Sequence, residues 1–255
     1  TGTATAGFWQ NVETLNSVPF AGKTITYSFY ARAGANWSPT SGNLGVVVYS
    51  GTGTDQNIFS GFTGSDLRLA TNVALTTTWQ RFQFVITMPS NMTEMAFGFN
   101  INPTGTAGAN DYFEVTGLQV EVGSVATPFK TNGATIQGEL SACMRYFQVS
   151  NRLAVSLIGQ ANSTSQIACP VTFVQPMRSA PTVTMGTSGQ TSGTSSFLTS
   201  NAGYPATTGT HTANGINAGG FEIGTSGYSA SFTTGNASIF YQNGQQNVYT
   251  ASAEL

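Results

Sequence analysis

The chain predicts an all-β fold, with two jelly-roll-like β-sandwich modules joined by one short α-helix. Three observations carry this. Short segments alternate apolar with polar residues, clusters of Gly, Asn, Ser and Thr separate them, and helical periodicity occurs in one stretch. Strands that follow one another without intervening helices exclude βαβ units and point to packed sheets.

The first set of strands reads in order. Lys23-Thr-Ile-Thr-Tyr-Ser-Phe-Tyr-Ala31 alternates and is rich in β-branched and aromatic residues. Leu44–Tyr49 follows, then Trp79–Thr87, which stops at Met88-Pro89-Ser90. Met95–Ile101 and Tyr112–Glu121 complete the set. Trp9 and Trp79 stand in strand-like contexts and are expected in the core.

The helix is expected over about 131–150, after Pro128. Ile136, Leu140, Cys143, Met144 and Phe147 fall at helical spacing on one face. Glu139 near the start and Arg145 near the end suit the helix dipole. This divides the chain into a module over 1–130, a connector over 131–150 and a second module over 151–255.

Candidate strands of the second module are Leu153–Ile158, Ile167–Val174, Pro181–Met185, Tyr228–Thr233 and Val248–Leu255. Pro170 should place its strand at an edge or mark its beginning. Between Gly186 and Gly220 few core residues occur (Phe197, Leu198, Tyr204, Ile216). That region is expected to be mostly exposed loop, the usual seat of recognition.

Composition bounds the function. Charged residues are 7% of 255, against roughly 25% in an ordinary soluble domain. With 40% hydrophobic residues the chain can build a core, so disorder is a poor fit. Low charge with abundant neutral polar residues suits an extracellular or particle surface. Lys and Arg are scattered singly, which argues against a nucleic-acid surface. No apolar run approaches the ~20 residues of a membrane span. Cys143 and Cys169 are too few for a disulfide scaffold and read as two buried free thiols.

Several stretches, in order along the chain, resemble tailed-bacteriophage tail-fibre and minor virion structural proteins. They are Gln10-Asn-Val-Glu13 with Phe20-Ala-Gly-Lys-Thr-Ile-Thr-Tyr-Ser-Phe-Tyr-Ala-Arg32, then Leu75-Thr-Thr-Thr-Trp-Gln-Arg-Phe82. Leu118-Gln-Val-Glu-Val-Gly-Ser-Val-Ala-Thr-Pro-Phe129 and Glu139-Leu-Ser-Ala-Cys-Met-Arg-Tyr-Phe147 follow. Pro176–Thr184 and Ala253-Glu-Leu255 close the set. The resemblance implies a carbohydrate-binding-module-like jelly roll, a helix, a C-terminal β domain and a virion component, usually oligomeric. In that family further strands precede the Gln-x-Val-Glu stretch. With no starting Met, Thr1 is not expected to begin the translated protein, and the first module is expected to lack its first strands.

Catalytic sets are sparse. The one histidine, His211, lies in Gly209-Thr-His-Thr212 with no Gly-x-Ser-x-Gly elbow, and reads as an exposed loop residue or a ligand contact. Asp55/Asp66 and Asp111/Glu114 are the nearest carboxylate pairs for a glycosidase. The chain is therefore read as a non-enzyme. Cys/His metal sites fail on count. No cofactor is expected except a structural calcium, which the resemblance suggests, with Glu13 and Asp111 as the acids to test.

Sugar recognition favours exposed aromatics among amides and hydroxyls. Trp37, Phe59, Phe62 and Tyr204 lie in loops of that kind, and His211 joins them as a candidate contact. Local packing under a loop is the weightier reading of each of these aromatics. The expected function is a virion fibre or tail-associated protein that binds a host-surface glycan or protein, located on the particle surface. Ile136, Leu140, Met144 and Phe147 are the candidate contacts of a trimer, with packing of this face against the chain's own sandwiches an equal alternative. Two rivals stay open: a capsid decoration or head-fibre protein, and a carbohydrate-binding module of a secreted polysaccharide-degrading enzyme.

Overall fold

The computed structural model describes residues 5–104, 106–131, 133, 135–150, 155–185, 195–199, 210–226, 232–242 and 248–254. The protein is all-β and divides into two compact units, Thr1–Lys130 and Thr131–Glu254.

The first unit holds β1 (Ala6–Val12), a one-turn helix α1 (Thr14–Ser17), β2 (Thr24–Ala33), β3 (Asn43–Gly51), β4 (Asp66–Ala74), β5 (Gln80–Thr87), β6 (Glu94–Ile101) and β7 (Phe113–Val122). One sheet runs β1-β6-β3-β4 and the other β5-β2-β7, all antiparallel. The alternation in β2 faces Ile25, Tyr27, Phe29 and Ala31 inward. They meet Leu44, Val46 and Val48 of β3 and Met95, Phe97 and Phe99 of β6 in one core. Phe29 is fully buried, with its ring 4.8 Å from Phe99, 5.5 Å from Phe82 and 5.4 Å from Tyr27. Burying such a ring contributes roughly 2–3 kcal/mol, and burial also pushes the Tyr27 hydroxyl well above its ordinary pKa.

All five strands expected here form, each within two residues at its ends. Strands β1 and β4 lacked a sequence signal because each is a sheet edge with mostly exposed side chains. Trp9 is a correction. It lies on the outer face of its sheet, across from Gly98, where an added Cβ would come within 2.3 Å of the indole. Trp79 is a second correction: it is 44% exposed, with the Arg32 guanidinium 5.0 Å from its ring centre.

The second unit holds α2 (Ile136–Met144), β8 (Phe147–Val149), β9 (Val155–Ala161), β10 (Ile167–Thr172), β11 (Thr182–Met185), β12 (Ser195–Thr199), β13 (Thr210–Asn217), β14 (Gly220–Ser226), β15 (Ala237–Gln242) and β16 (Tyr249–Ser252). A six-stranded sheet runs β12-β15-β9-β10-β14-β13, and a three-stranded one β11-β16-β8. Their shared core includes Cys169, Val171, Phe173, Phe221, Ile223 and Ala251.

The Gly186–Gly220 region, expected to be mostly exposed loop, holds β12 and β13, and the strand expected over Tyr228–Thr233 lies mostly outside the described residues. Three further expectations change here. The helix is shorter than 131–150, because Thr135 caps its start through Gly138 N–H and the chain leaves it after Met144. Phe147 is therefore on β8, paired with Ser252, rather than on the helix face. Gln148 stabilises the exit by donating to Met144 O (3.0 Å) and accepting from Val174 N–H (3.2 Å). Secondly, β10 is interior, although Pro170 has no N–H. Its ladder to β9 covers only Ile167 and Ala168, while Pro170 pairs toward β14, so the missing donor sits where the β9 ladder has ended. Thirdly, Cys143 is exposed; Cys169 is buried as expected. Among the described residues no helix is long and apolar enough to cross a membrane.

Candidate functional site

One end of the first unit is built by two loops, residues 34–42 between β2 and β3 and residues 102–112 between β6 and β7. They are bonded to each other. Gly34 N donates to Tyr112 O at 2.8 Å, Asn36 Nδ2 to Ala109 O at 2.7 Å and Thr40 N to Asn102 O at 2.8 Å. Thr104 Oγ1 donates to Ser38 O at 2.6 Å. Gly34 is required there, since a Cβ would come within 2.1 Å of Asn110 O.

Between these loops lies a cleft of about 220 Å³. Its apolar walls are Trp37, Pro39, Ile101, Pro103, Ala107 and Phe113; its polar groups are Ser38, Thr104, Asp111 and Tyr112. Trp37 is fixed twice. Its indole N–H donates to Gly42 O at 2.8 Å, and its ring meets Phe113 edge-on at 5.5 Å. Asp111 Oδ1 accepts Ser38 N–H at 3.0 Å, and Oδ2 accepts Ser38 Oγ–H. Tyr112 is 45% exposed at the rim. Among the described residues three non-glycines have left-handed φ: Ser41 (63°), Asp55 (49°) and Asn110 (61°). Two of the three belong to these loops. An apolar cleft with rigid rings and a few convergent oxygens suits a small polyhydroxylated ligand.

The β2 and β7 side of the outer face of β5-β2-β7 is covered by the chain itself, while Val85 on β5 stays 55% exposed. Residues 123–130 leave β7 and fold back over it. Thr26 Oγ1 donates to Gly123 O at 2.8 Å, and Lys130 N donates to Gln119 Oε1 at 2.9 Å. Glu121 accepts Thr127 N–H and Oγ1–H, each at 2.8 Å. Arg81 Nη2 donates to Thr127 O and, at 3.3 Å, to Ser28 Oγ. Under this strap Thr26 and Ser28 are 1% exposed although they point outward. The hydrogen bond from Gln119, aided by those from Thr127 and by Arg81, holds the Glu121 carboxyl below its ordinary pKa.

The other expected site residues scatter. Phe62 is packing, 7% exposed beneath Gly51, because that glycine leaves room for its ring. Phe59 is exposed, in the turn Ile58–Ser60. That turn is tied to Asn11 Oδ1 through Ile58 N–H, at the opposite end of β6 from the cleft. Glu13 is buried at that same far end, just past the Val12–Met95 pair, while Asp111 lines the cleft beyond Ile101. Eight residues of β6 put about 24 Å between the two ends, so Glu13 and Asp111 do not share a site. Among the described residues no group of three His, Cys, Asp or Glu side chains gathers.

His211 is on β13, paired with Thr225, rather than in a loop, and burial lowers its pKa. Tyr204 lies outside the described residues. Each carboxylate of the two nearest pairs has a separate partner: Asp55 takes Thr14 N–H, Asp66 takes Arg68, Asp111 takes Ser38 and Glu114 takes Arg32. On the helix, Ile136 and Leu140 are 84% and 58% exposed, Met144 is half-buried, and Phe147 is exposed on β8.

Ser38, Thr104, Tyr112 and Phe113 carried no signal in the sequence, since the cleft joins loops about 73 positions apart. The one available hint was the turn-rich run Asn102–Asp111 directly after a strand.

No protein-family model matches the chain, and no curated protein matches it. It is similar to a solved structure described as "CBM4 structure and function", with 22% identity and a TM-score of 0.33, over 48% of this chain and 67% of that one. It is also similar to wild-type discoidin II from Dictyostelium discoideum, with 12% identity and a TM-score of 0.25, over 91% of this chain and 72% of that one. Likenesses this distant bear on neither ligand nor activity.

Proposed function

We propose that the chain is a glycan-binding display protein, of the virion-fibre or tail-associated kind its sequence resembles. The cleft at Trp37 carries the binding part of this reading: rigid aromatic walls beside Ser38, Asp111 and Tyr112 offer a sugar ring an apolar face and hydroxyl partners. The low charge and the ordered set of fibre-like stretches support the particle-surface part. The exposed apolar side chains Ile136, Leu140 and Phe147 support assembly into an oligomer, with a trimer expected.

A printed glycan array tests binding. The intact protein should retain a defined subset of sugars, and Trp37→Ala and Tyr112→Ala should each lose it at unchanged melting temperature. Retention of the same sugars by both variants would remove the cleft from the account. Sedimentation of the intact chain and of Leu140→Glu tests assembly. A monomer in both would contradict the oligomer.

A further inference from the structure

Resting on the glycan-binding reading, we propose that the cleft takes one terminal, uncharged sugar residue end-on, and that Asp111 makes it reject acidic sugars. Three features of the first unit converge on this.

The first is size. At about 220 Å³ the cleft is below the roughly 300–1,000 Å³ of pockets that enclose a drug-sized ligand. It has room for one ring and not for several in a row.

The second is position. The cleft opens at the end of the sandwich, between the loops at 34–42 and 102–112. A glycan chain running sideways needs a long open surface, and the outer face of β5-β2-β7 is the natural one. The strap at 123–130 interrupts that face over β2 and β7, bonded through Thr127 to Glu121, Gln119 and Arg81. The cleft between the two loops is a pit that accepts the tip of a chain.

The third is charge. Asp111 is the single charged side chain lining the cleft, and no Lys or Arg lines it. Each of its oxygens already accepts one bond from Ser38, which fixes the carboxylate in place. The remaining lone pairs face ligand hydroxyls or an amine as acceptors. A sugar carboxylate or sulfate there would meet a like charge with no cation to offset it.

The experiment uses the intact protein on immobilised oligosaccharides ending in glucose, galactose, mannose, N-acetylglucosamine or N-acetylgalactosamine. Each is paired with the same chain capped by a sialic acid. Capping should weaken binding at least about tenfold, the scale of one bond to a charged group. Asp111→Asn keeps an oxygen for Ser38 N–H but removes the charge. It should bind the uncapped chain at least about tenfold less tightly and bring capped and uncapped chains within about threefold.

If wild-type protein bound capped and uncapped chains equally, the end-on reading would be overturned while glycan binding stood. If it bound no glycan at all, both would fall. The wild-type comparison decides even if Asp111→Asn does not fold.

Discussion

Glu121→Ala should loosen the strap at 123–130 without unfolding the sandwich beneath it. The substitution deletes the acceptor of three bonds, from Thr127 N (2.8 Å), Thr127 Oγ1 (2.8 Å) and Gln119 Nε2 (2.9 Å). Buried, three bonds to a carboxylate would be worth several kcal/mol. Thr127 is exposed, so water competes for each partner, and the net loss should be about 1 kcal/mol. That is about a fivefold rise in local opening. Native-state amide exchange at Thr127, which donates to Glu121, reads it directly, with Phe29 N–H in β2 as the reference for global stability.

The pH dependence has a fixed sign. Gln119, Thr127 and Arg81 hold the folded carboxyl below the unfolded value near 4.3. The strap contribution is therefore complete above about pH 4.3 and fades as pH falls through the lower folded value. Thr127 protection in Glu121→Ala equal to wild type would refute the reasoning. So would wild-type protection that rises on acidification after correction for intrinsic exchange.

Two further outcomes test the packing. Phe29→Ala removes a fully buried ring between Phe82, Phe99 and Tyr27, and should destabilise the first unit by about 3–5 kcal/mol in urea titration; a loss below about 1 kcal/mol would contradict the core described. In native protein a thiol reagent should modify exposed Cys143 within minutes and buried Cys169 only after denaturant is added. Two fast-reacting thiols would contradict the placement of β10.

What the residues revealed followed burial. Strands β2, β3, β5, β6 and β7 were legible because each sends alternate large side chains into one core. Strands β1, β4 and β13 were not, because an edge strand needs little apolar surface. Alternation was present in Phe221-Glu-Ile223 of β14, but Gly and Thr around it masked the pattern. The helix was readable from the spacing of Ile136, Leu140 and Met144, but neither end was: expected over about 131–150, it runs Ile136–Met144 behind the Thr135 cap. Phe147 keeps helical spacing from Met144 while its backbone pairs with β16.

At the site, Trp37 stood out as a loop aromatic, and Asp111 was noticed as a carboxylate and calcium candidate rather than as the partner of Ser38. Nothing local ties Asp111 to Ser38, and the strap depends on Glu121 folding back onto Thr127 across a turn without a distinctive pattern.

The central claim is that the cleft at Trp37 is where a sugar binds. Each of the three tryptophans contributes one indole N–H resonance, from Trp9, Trp37 and Trp79. Titrating 15N-labelled intact protein with the best-retained array glycan should shift the Trp37 indole and the Tyr112 amide, and leave Trp9 and Trp79 in place. Saturable shifts at Trp79 with Trp37 unmoved would put the ligand elsewhere and contradict the account.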